Sequence, residues 1–282
     1  MAVILVADSG STKTEWALVR KGEVETLRTE GYNPYFDREV SWAGPLSAWL
    51  SSLLVQSEER VEVFYYGAGC DRPEAAARVE AAFREILPGA RVHVADDLSG
   101  AGAALWHHEQ GGVLILGTGM NAGMWDGRRI TKKITPMGFL LGDHGSGAAL
   151  GLRLARAWLD GDLQEETSRK LQEKYRLDRE MLKKNAYLEP RPHYFFAGFT
   201  PFFLEAPDDP VLQRILEDEF DRLFRCDLQP LLGRGSFRAL GSVAWYFREK
   251  LHEKAERYGL HLDKVVRYPL NELVVFHGEN IR

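Results

Sequence analysis

Residues 2–19 read Ala-Val-Ile-Leu-Val-Ala-Asp-Ser-Gly-Ser-Thr-Lys-Thr-Glu-Trp-Ala-Leu-Val: an apolar run, a polar turn at Asp8–Thr14, and a second apolar run. The first run is short and rich in Val, Ile and Leu, which predicts a buried strand. The turn gathers a carboxylate, a glycine, hydroxyls and a lysine, residue types that can surround a nucleotide phosphate and its metal. Amides and hydroxyls donate, Lys13 supplies charge, and Asp8 can hold a hydrated Mg²⁺. Glu15 to Val19 predicts a strand, Arg20 to Glu23 a turn, and Val24 to Thr29 a third strand. The Walker phosphate loop needs Gly-Lys-Ser/Thr opening a helix, and this chain has no Gly-Lys pair. The alternative to a phosphate loop is an ordinary polar hairpin turn.

The chain of 282 residues is long enough for two domains or one large one. Its 45% hydrophobic and 27% charged content is that of a soluble globular protein. A net charge of -5 and a pI near 6.0 speak against a nucleic-acid partner, so phosphate binding falls to local amides and a metal. No apolar run reaches the ~18 residues of a membrane helix, and no basic segment precedes the first strand, so neither membrane span nor signal peptide is expected. Cys70 and Cys226 stand far apart in no metal-ligand spacing, which predicts a reduced, cytoplasmic setting.

Further along, Asn33-Pro34 signals a turn. Val40–Leu54 and Pro73–Leu87 have helical apolar patterns, and Val61–Tyr66 and Ala90–Ala95 predict strands. The last of these ends at Asp96-Asp97, before a helix of small residues from Leu98 to Trp106. Acidic residues there either cap the helix or sit where open α/β sheets bind ligands. His107-His108-Glu109 reads as a solvated helix end, because adjacent histidines point in different directions.

Gly112–Leu116 predicts a buried strand leading into Gly117-Thr118-Gly119-Met120-Asn121-Ala122. A dinucleotide-binding reading requires a helix next, but Asp126-Gly127 is a hairpin signal and predicts another strand. This is a second strand-turn-strand phosphate loop. In Gly138–Gly151 the glycines let backbone approach a ligand before a helix from Ser146 to about Leu159. Residues 160–235 read as mostly helical, with amphipathic stretches at Gln164–Tyr175, Asp178–Tyr187 and Pro210–Cys226. In the same region Phe195–Phe203 is densely aromatic; core or dimer packing is the expected fate and stacking on a sugar the alternative. Phe237–Leu240 predicts a strand, Gly241-Ser242 opens a long helix to Tyr258, Leu262–Val266 is a last strand, and Leu270–His277 a final helix.

These segments together resemble the actin, hexokinase and heat-shock-chaperone ATPase superfamily. More narrowly they resemble the BadF/BadG/BcrA/BcrD-type ATPases and their N-acetylglucosamine kinase relatives, over the whole chain and in the same order. The resemblance implies an α/β fold of two ribonuclease-H-like domains with an ATP cleft between them. The N-terminal domain would span 1–110 plus the final helix at about 268–282, and the C-terminal one 111–267 with a helical insertion at about 160–235. Asp8, Gly10, Ser11, Thr12, Lys13 and Thr14 form the first phosphate motif, with Asp8 on Mg²⁺. Gly117, Thr118 and Gly119 form the second, and Gly241 and Ser242 the adenosine motif. Asp97 is the catalytic base, leaving Asp96 as the cap. Asn33, Asn121, Asp143, Gly145 and Ser146 contact the sugar.

The implied activity is transfer of the γ-phosphoryl group of ATP to a hydroxyl, the one on carbon six, of an N-acetylated amino sugar, by a cytoplasmic homodimer. Two positions depart from the relatives: His144 stands for a glutamate and Met120 for a serine. They predict either a variant sugar, such as one with its own carboxylate, or no effect if both sit behind the contact layer. Rival readings are an ATPase activator carrying an iron-sulfur cluster, for which Cys70 and Cys226 offer no motif, and a nucleotide-dependent binding module. The zinc-bearing, repressor-related sugar kinases would need a cysteine cluster the chain lacks.

Overall fold

A computed structural model describes residues 3–10, 12–34, 37, 39–54 and 59–279, so Ser11 lies outside the described residues. The apolar runs around the first turn become β1 (Val3–Ser9) and β2 (Lys13–Arg20), and β3 (Glu23–Glu30) continues the antiparallel meander. Then come α1 (Ala43–Leu53), β4 (Val61–Gly67), α2 (Pro73–Ile86), β5 (Arg91–Asp96) and α3 (Asp97–Trp106). Proline opens α2, where its missing N–H costs nothing. Strand β4 pairs parallel with β1, and β5 with β4, giving the order β3-β2-β1-β4-β5. Trp16, Trp42, Tyr65 and Phe83 pack edge-to-face or tilted at 5.0 to 6.1 Å and fill one side of this sheet.

A second hairpin follows, β6 (Gly111–Leu116) and β7 (Met120–Trp125), with β8 (Ile130–Lys133) after it. Helices α4 (Gly147–Asp160), α5 (Glu165–Tyr175), α6 (Arg179–Tyr187), α7 (Pro192–Ala197), α8 (Phe202–Glu205) and α9 (Pro210–Arg222) come next. A π-helical turn, Leu223–Leu228, joins α9 to α10 (Gln229–Leu232). The sheet is completed by β9 (Ser236–Leu240) and, after α11 (Ser242–Tyr246) and α12 (Arg248–Arg257), by β10 (His261–Val266); α13 (Leu270–Glu279) ends the described chain. The order β10-β9-β6-β7-β8, with β9 parallel to β6 and β10 to β9, repeats the topology of the first sheet. This is the expected α/β class with two ribonuclease-H-like sheets. The chain divides into two compact units, one of residues 1–110, 125–130 and 268–282, the other of residues 111–124 and 131–267. Among the described residues no helix is long and apolar enough to cross a membrane.

Three local expectations need correction. The helix read from Gly241 to Tyr258 is interrupted at Phe247 (φ -107°, ψ 21°), where that ring turns into the core, 5.9 Å from Phe220. The helix read through Cys226 is α-helical only to Arg222 and then widens into the π-turn. His107 is not a solvated end: it is half-buried, 3.6 Å from the Glu279 carboxylate and edge-on to Phe276 of α13. The aromatic stretch did go to packing, with Phe196, Phe199, Phe202 and Phe203 all in the core of the second unit.

Helices α4 and α7 approach closely in that core: a β-carbon on Gly151 would lie 1.8 Å from the Phe196 carbonyl oxygen. Gly151→Ala must push the helices apart, and we expect it to cost about 3 kcal/mol. Urea unfolding of the two proteins, read as a lower midpoint at unchanged slope, checks this.

Candidate active site

In the first unit the site residues converge because parallel strands end together. Ser9 pairs with Gly67, and Gly67 with Asp96, so Asp8, the β1–β2 turn and the Asp96-Asp97 pair share one carboxyl edge of the sheet. Asp96 caps α3, its Oδ1 accepting the Ser99 N–H at 2.9 Å, as read from the sequence. Asp97 is the first residue of α3, and its Oδ1 accepts the Leu98 N–H at 2.9 Å.

Side chains of β2 alternate. Lys13 and Glu15 face one side, where Lys13 Nζ lies 2.7 Å from Glu15 Oε1 and 4.1 Å from the centre of the Tyr268 ring. Thr14 faces the other and is fully buried, and its hydroxyl meets Ser9 Oγ at 2.8 Å. That Oγ in turn accepts from Tyr65 Oη at 2.7 Å, and Tyr65 Oη accepts from the Trp42 indole at 3.3 Å. Thr14 is therefore a core hydroxyl, which corrects its assignment to the nucleotide; β2 begins at Lys13, one residue inside the turn, and that sets which way Thr14 points. Thr12 is exposed on the turn and Gly10 half-buried. Asn33 is buried in its own turn, its N–H donating to Asp37 Oδ2 at 2.8 Å.

Electrostatically this edge is over-supplied with negative charge. The Asp8 carboxyl is raised from 3.8 to about 7, by burial first and then by Glu15, with a further push from Asp97 and only Lys13 opposing. Glu15 Oε2 is buried without a hydrogen-bond partner. Glu15 and Tyr268 escaped the sequence reading; the alternation of β2 was the available signal for Glu15, and Tyr268, at the far end of the chain, left none.

In the second unit the Gly117–Gly119 turn is held by backbone. Gly117 N–H reaches the Gly119 carbonyl at 3.0 Å, and the first residues of α4 donate to the turn, Gly147 to the Gly117 oxygen at 2.8 Å and Ala148 to the Thr118 oxygen at 3.0 Å. Gly241 (φ +118°) packs on the same turn: a β-carbon there would sit 2.4 Å from the Leu116 oxygen. Ser242 beside it is exposed.

Asp143, at φ +49°, brings its carboxylate to the turn and accepts from the N–H groups of Met120 and Gly138. Its pKa is nevertheless raised to about 6, by burial first and also by Asp227. Asn121 follows on β7, and its buried Oδ1 has no hydrogen-bond partner. Gly145 (φ +74°) is buried and donates to Glu219 Oε2 at 3.0 Å. Ser146 is fully buried and caps α4 through the Ala149 N–H, which leaves it no face for a sugar and corrects that assignment.

The two departures from the relatives separate here. Met120 is buried in the core, and its backbone N–H donates to the Asp143 carboxylate. His144 is held by Asp227, Nδ1 to Oδ2 at 2.7 Å.

No protein-family model matches the chain, and no curated protein matches it either. Among solved structures, a candidate N-acetylglucosamine kinase from Porphyromonas gingivalis is 34% identical over 99% of this chain and 100% of its own, with a TM-score of 0.88. A candidate N-acetylglucosamine kinase from Chromobacterium violaceum is 20% identical over 98% of this chain and 99% of its own, with a TM-score of 0.66. The ROK hexokinase of Thermus thermophilus is 16% identical over 99% of each chain, with a TM-score of 0.54. The last two share the fold.

The raised Asp8 has a consequence for stability. Between about pH 4 and 7 the native chain holds that proton more tightly than the unfolded chain does, so stability falls as pH rises through this window. Asp8→Asn removes the loss: we expect a ligand-free protein more stable than wild type by on the order of 2 kcal/mol at pH 8, with the gap closing towards pH 4. Urea titrations at both pH values measure it.

Proposed function

This chain belongs to the family of the Porphyromonas gingivalis protein, and on that premise we propose that it phosphorylates an N-acetylated amino sugar with ATP. The acceptor hydroxyl in this reading is the one on carbon six, and the branch is the BadF/BadG/BcrA/BcrD-type one. The observation that carries the proposal is the convergence of Asp8, Lys13 and Asp97 on one strand edge, where carboxylates outnumber cations.

The donor set fits a hydrated Mg²⁺: Asp8 and the partnerless Glu15 oxygen bear more negative charge than Lys13 offsets. Asp8 would hold the ion, which when bound supplies positive charge to the phosphates. Lys13, kept in place by Glu15 and Tyr268, adds a fixed charge; Gly10 and Thr12 offer donors from the first turn, and Ser11 keeps its sequence-based assignment to the phosphates. In the second unit Thr118 and Gly119 offer backbone donors to phosphate, Gly117 closes the turn through its N–H on the Gly119 carbonyl, and Gly241 and Ser242 are assigned to adenosine. Asn33, Asn121 and Asp143 orient the sugar, with Gly145 shaping the loop that carries Asp143. Asp97 takes the proton from the attacking hydroxyl. Phosphoryl transfer asks little more than such positioning and charge neutralisation. A homodimer and a cytoplasmic setting, where ATP is available, belong to the same proposal; sedimentation velocity measures the first.

ADP release against a panel of amino sugars tests the reading. Sugar-dependent release should appear in the wild type and fall about 10²–10⁴-fold in Asp97→Asn, with ATP binding kept. Undiminished turnover in that variant would remove Asp97 from the role.

A further inference from the structure

The second unit contains a cavity of about 710 Å³ that the kinase reading leaves unused, walled by α4, α9, the π-turn and the loop before α4. Its size is that of small-molecule sites. Arg153 and Arg156 on α4, and Arg222 and Arg225 at the end of α9 and in the π-turn, line it as two pairs spaced three residues apart, the spacing that puts side chains on one helix face.

The acids in the wall are already engaged. Asp218 and Glu219 take Arg153, at 2.9 and 3.3 Å, and Asp221 takes the buried Lys254 at 2.7 Å. Arg222 is 3.5 Å from a Glu219 that also serves Arg153 and the Gly145 N–H. Arg156 and Arg225 make no ion pair among the described residues. Both guanidinium groups are solvent-exposed where they line the cavity, and without an ion-pair partner among the described residues they suit a phosphate monoester, which each can hold through paired N–H donors. The loop side of the wall, with Phe139 and Leu141, offers apolar surface to the carbon face of a sugar ring. The π-turn is the second mark of a built site: such turns cluster at functional sites, and this one carries Arg225 to the cavity and Asp227 to His144.

We infer that this cavity is an effector site for a phosphate monoester, a sugar phosphate above all, gripped by Arg156 and Arg225 and coupled to Asp143. The coupling has a short path. His144 lines the cavity and is tied to Asp227, and Gly145 donates to Glu219 of the wall. One residue earlier, the Asp143 carboxylate is bonded to the phosphate turn through Met120. Residues 143–145 thus have one side on the turn and the other on the cavity. The binding site stands apart from the proposed kinase reading; only the meaning of its effect on Asp143 rests on that reading.

Calorimetric titration of the full chain with N-acetylglucosamine 6-phosphate, and separately with inorganic phosphate, tests the site in wild type and in Arg156→Ala/Arg225→Ala. The expected result is a binding event in wild type that weakens at least tenfold in the double variant and recovers in part in Arg156→Lys/Arg225→Lys. A sugar phosphate at least tenfold tighter than inorganic phosphate identifies the ester as the ligand; equal affinities identify phosphate alone and overturn the sugar part. Isotherms unchanged by the alanine substitutions, or no binding of either anion, overturn the site. So does a wild-type dimer that turns monomeric in the double variant without binding either anion, since a second copy then covers this wall. Hydrogen exchange of residues 137–145 should slow on adding the bound anion to wild type and not to the alanine variant; no change in wild type overturns the coupling. None of these readouts needs turnover, so a chain inactive on every amino sugar would sink the kinase reading and leave this one standing or falling by itself.

Discussion

At the edge of the second sheet the Leu116 carbonyl stands where a β-carbon of residue 241 would be, 2.4 Å away. That contact admits only glycine, and it brings the start of α11 against the turn that follows β6. The same turn receives two N–H groups from the start of α4, so its own carbonyls face inward to partners and its shape does not depend on a ligand. In the proposed reading this loop binds phosphate through backbone donors, and such donors must be presented before the phosphate arrives, because ordering them at binding would consume the affinity they provide. Here the ordering is done by neighbouring helices during folding.

The first sheet reaches a similar result by charge. Its edge holds Asp8, Glu15 and Asp97 with Lys13 as the cation among them, and the ligand-free protein carries that imbalance as a proton on Asp8 near neutral pH. In the proposed reading a site that destabilises its own empty state in this way gains affinity for a cation, and the cost appears in fold stability. The buried chain from Trp42 through Tyr65 and Ser9 to Thr14 explains how the edge tolerates the strain, since it anchors both ends of the β1–β2 turn in the core beneath.

Much of this was legible in the sequence because it is local. Both glycine turns are flanked by apolar runs of strand length, and Asp96 and Asp97 sit at the junction of a strand and a small-residue helix, so element types and edge position follow from pattern alone. What pattern could not supply was facing. Thr14 and Met120 read as loop residues, yet each belongs to a strand whose alternation turns it inward, and one residue of strand boundary decides the matter. Ser146 looked like a ligand contact until its hydroxyl was needed for the α4 cap. Contacts across long separations left no trace at all: Lys13 under Tyr268, and His144 on Asp227, 83 residues on.

That last pair changes what the histidine means. Taken as a point substitution for the glutamate of the relatives, His144 deletes a negative charge beside Asp143. In the folded chain the imidazole bonds to a carboxylate of its own, Asp227 on the π-turn. Asp227 still acts on Asp143 from there, helping to raise its pKa. A histidine fixed through Nδ1 has its other nitrogen set by that bond, and it lines the cavity on the far side of the loop from the phosphate turn. On the proposed readings, the exchange therefore bears less on the sugar at Asp143 than on the ligand of the cavity.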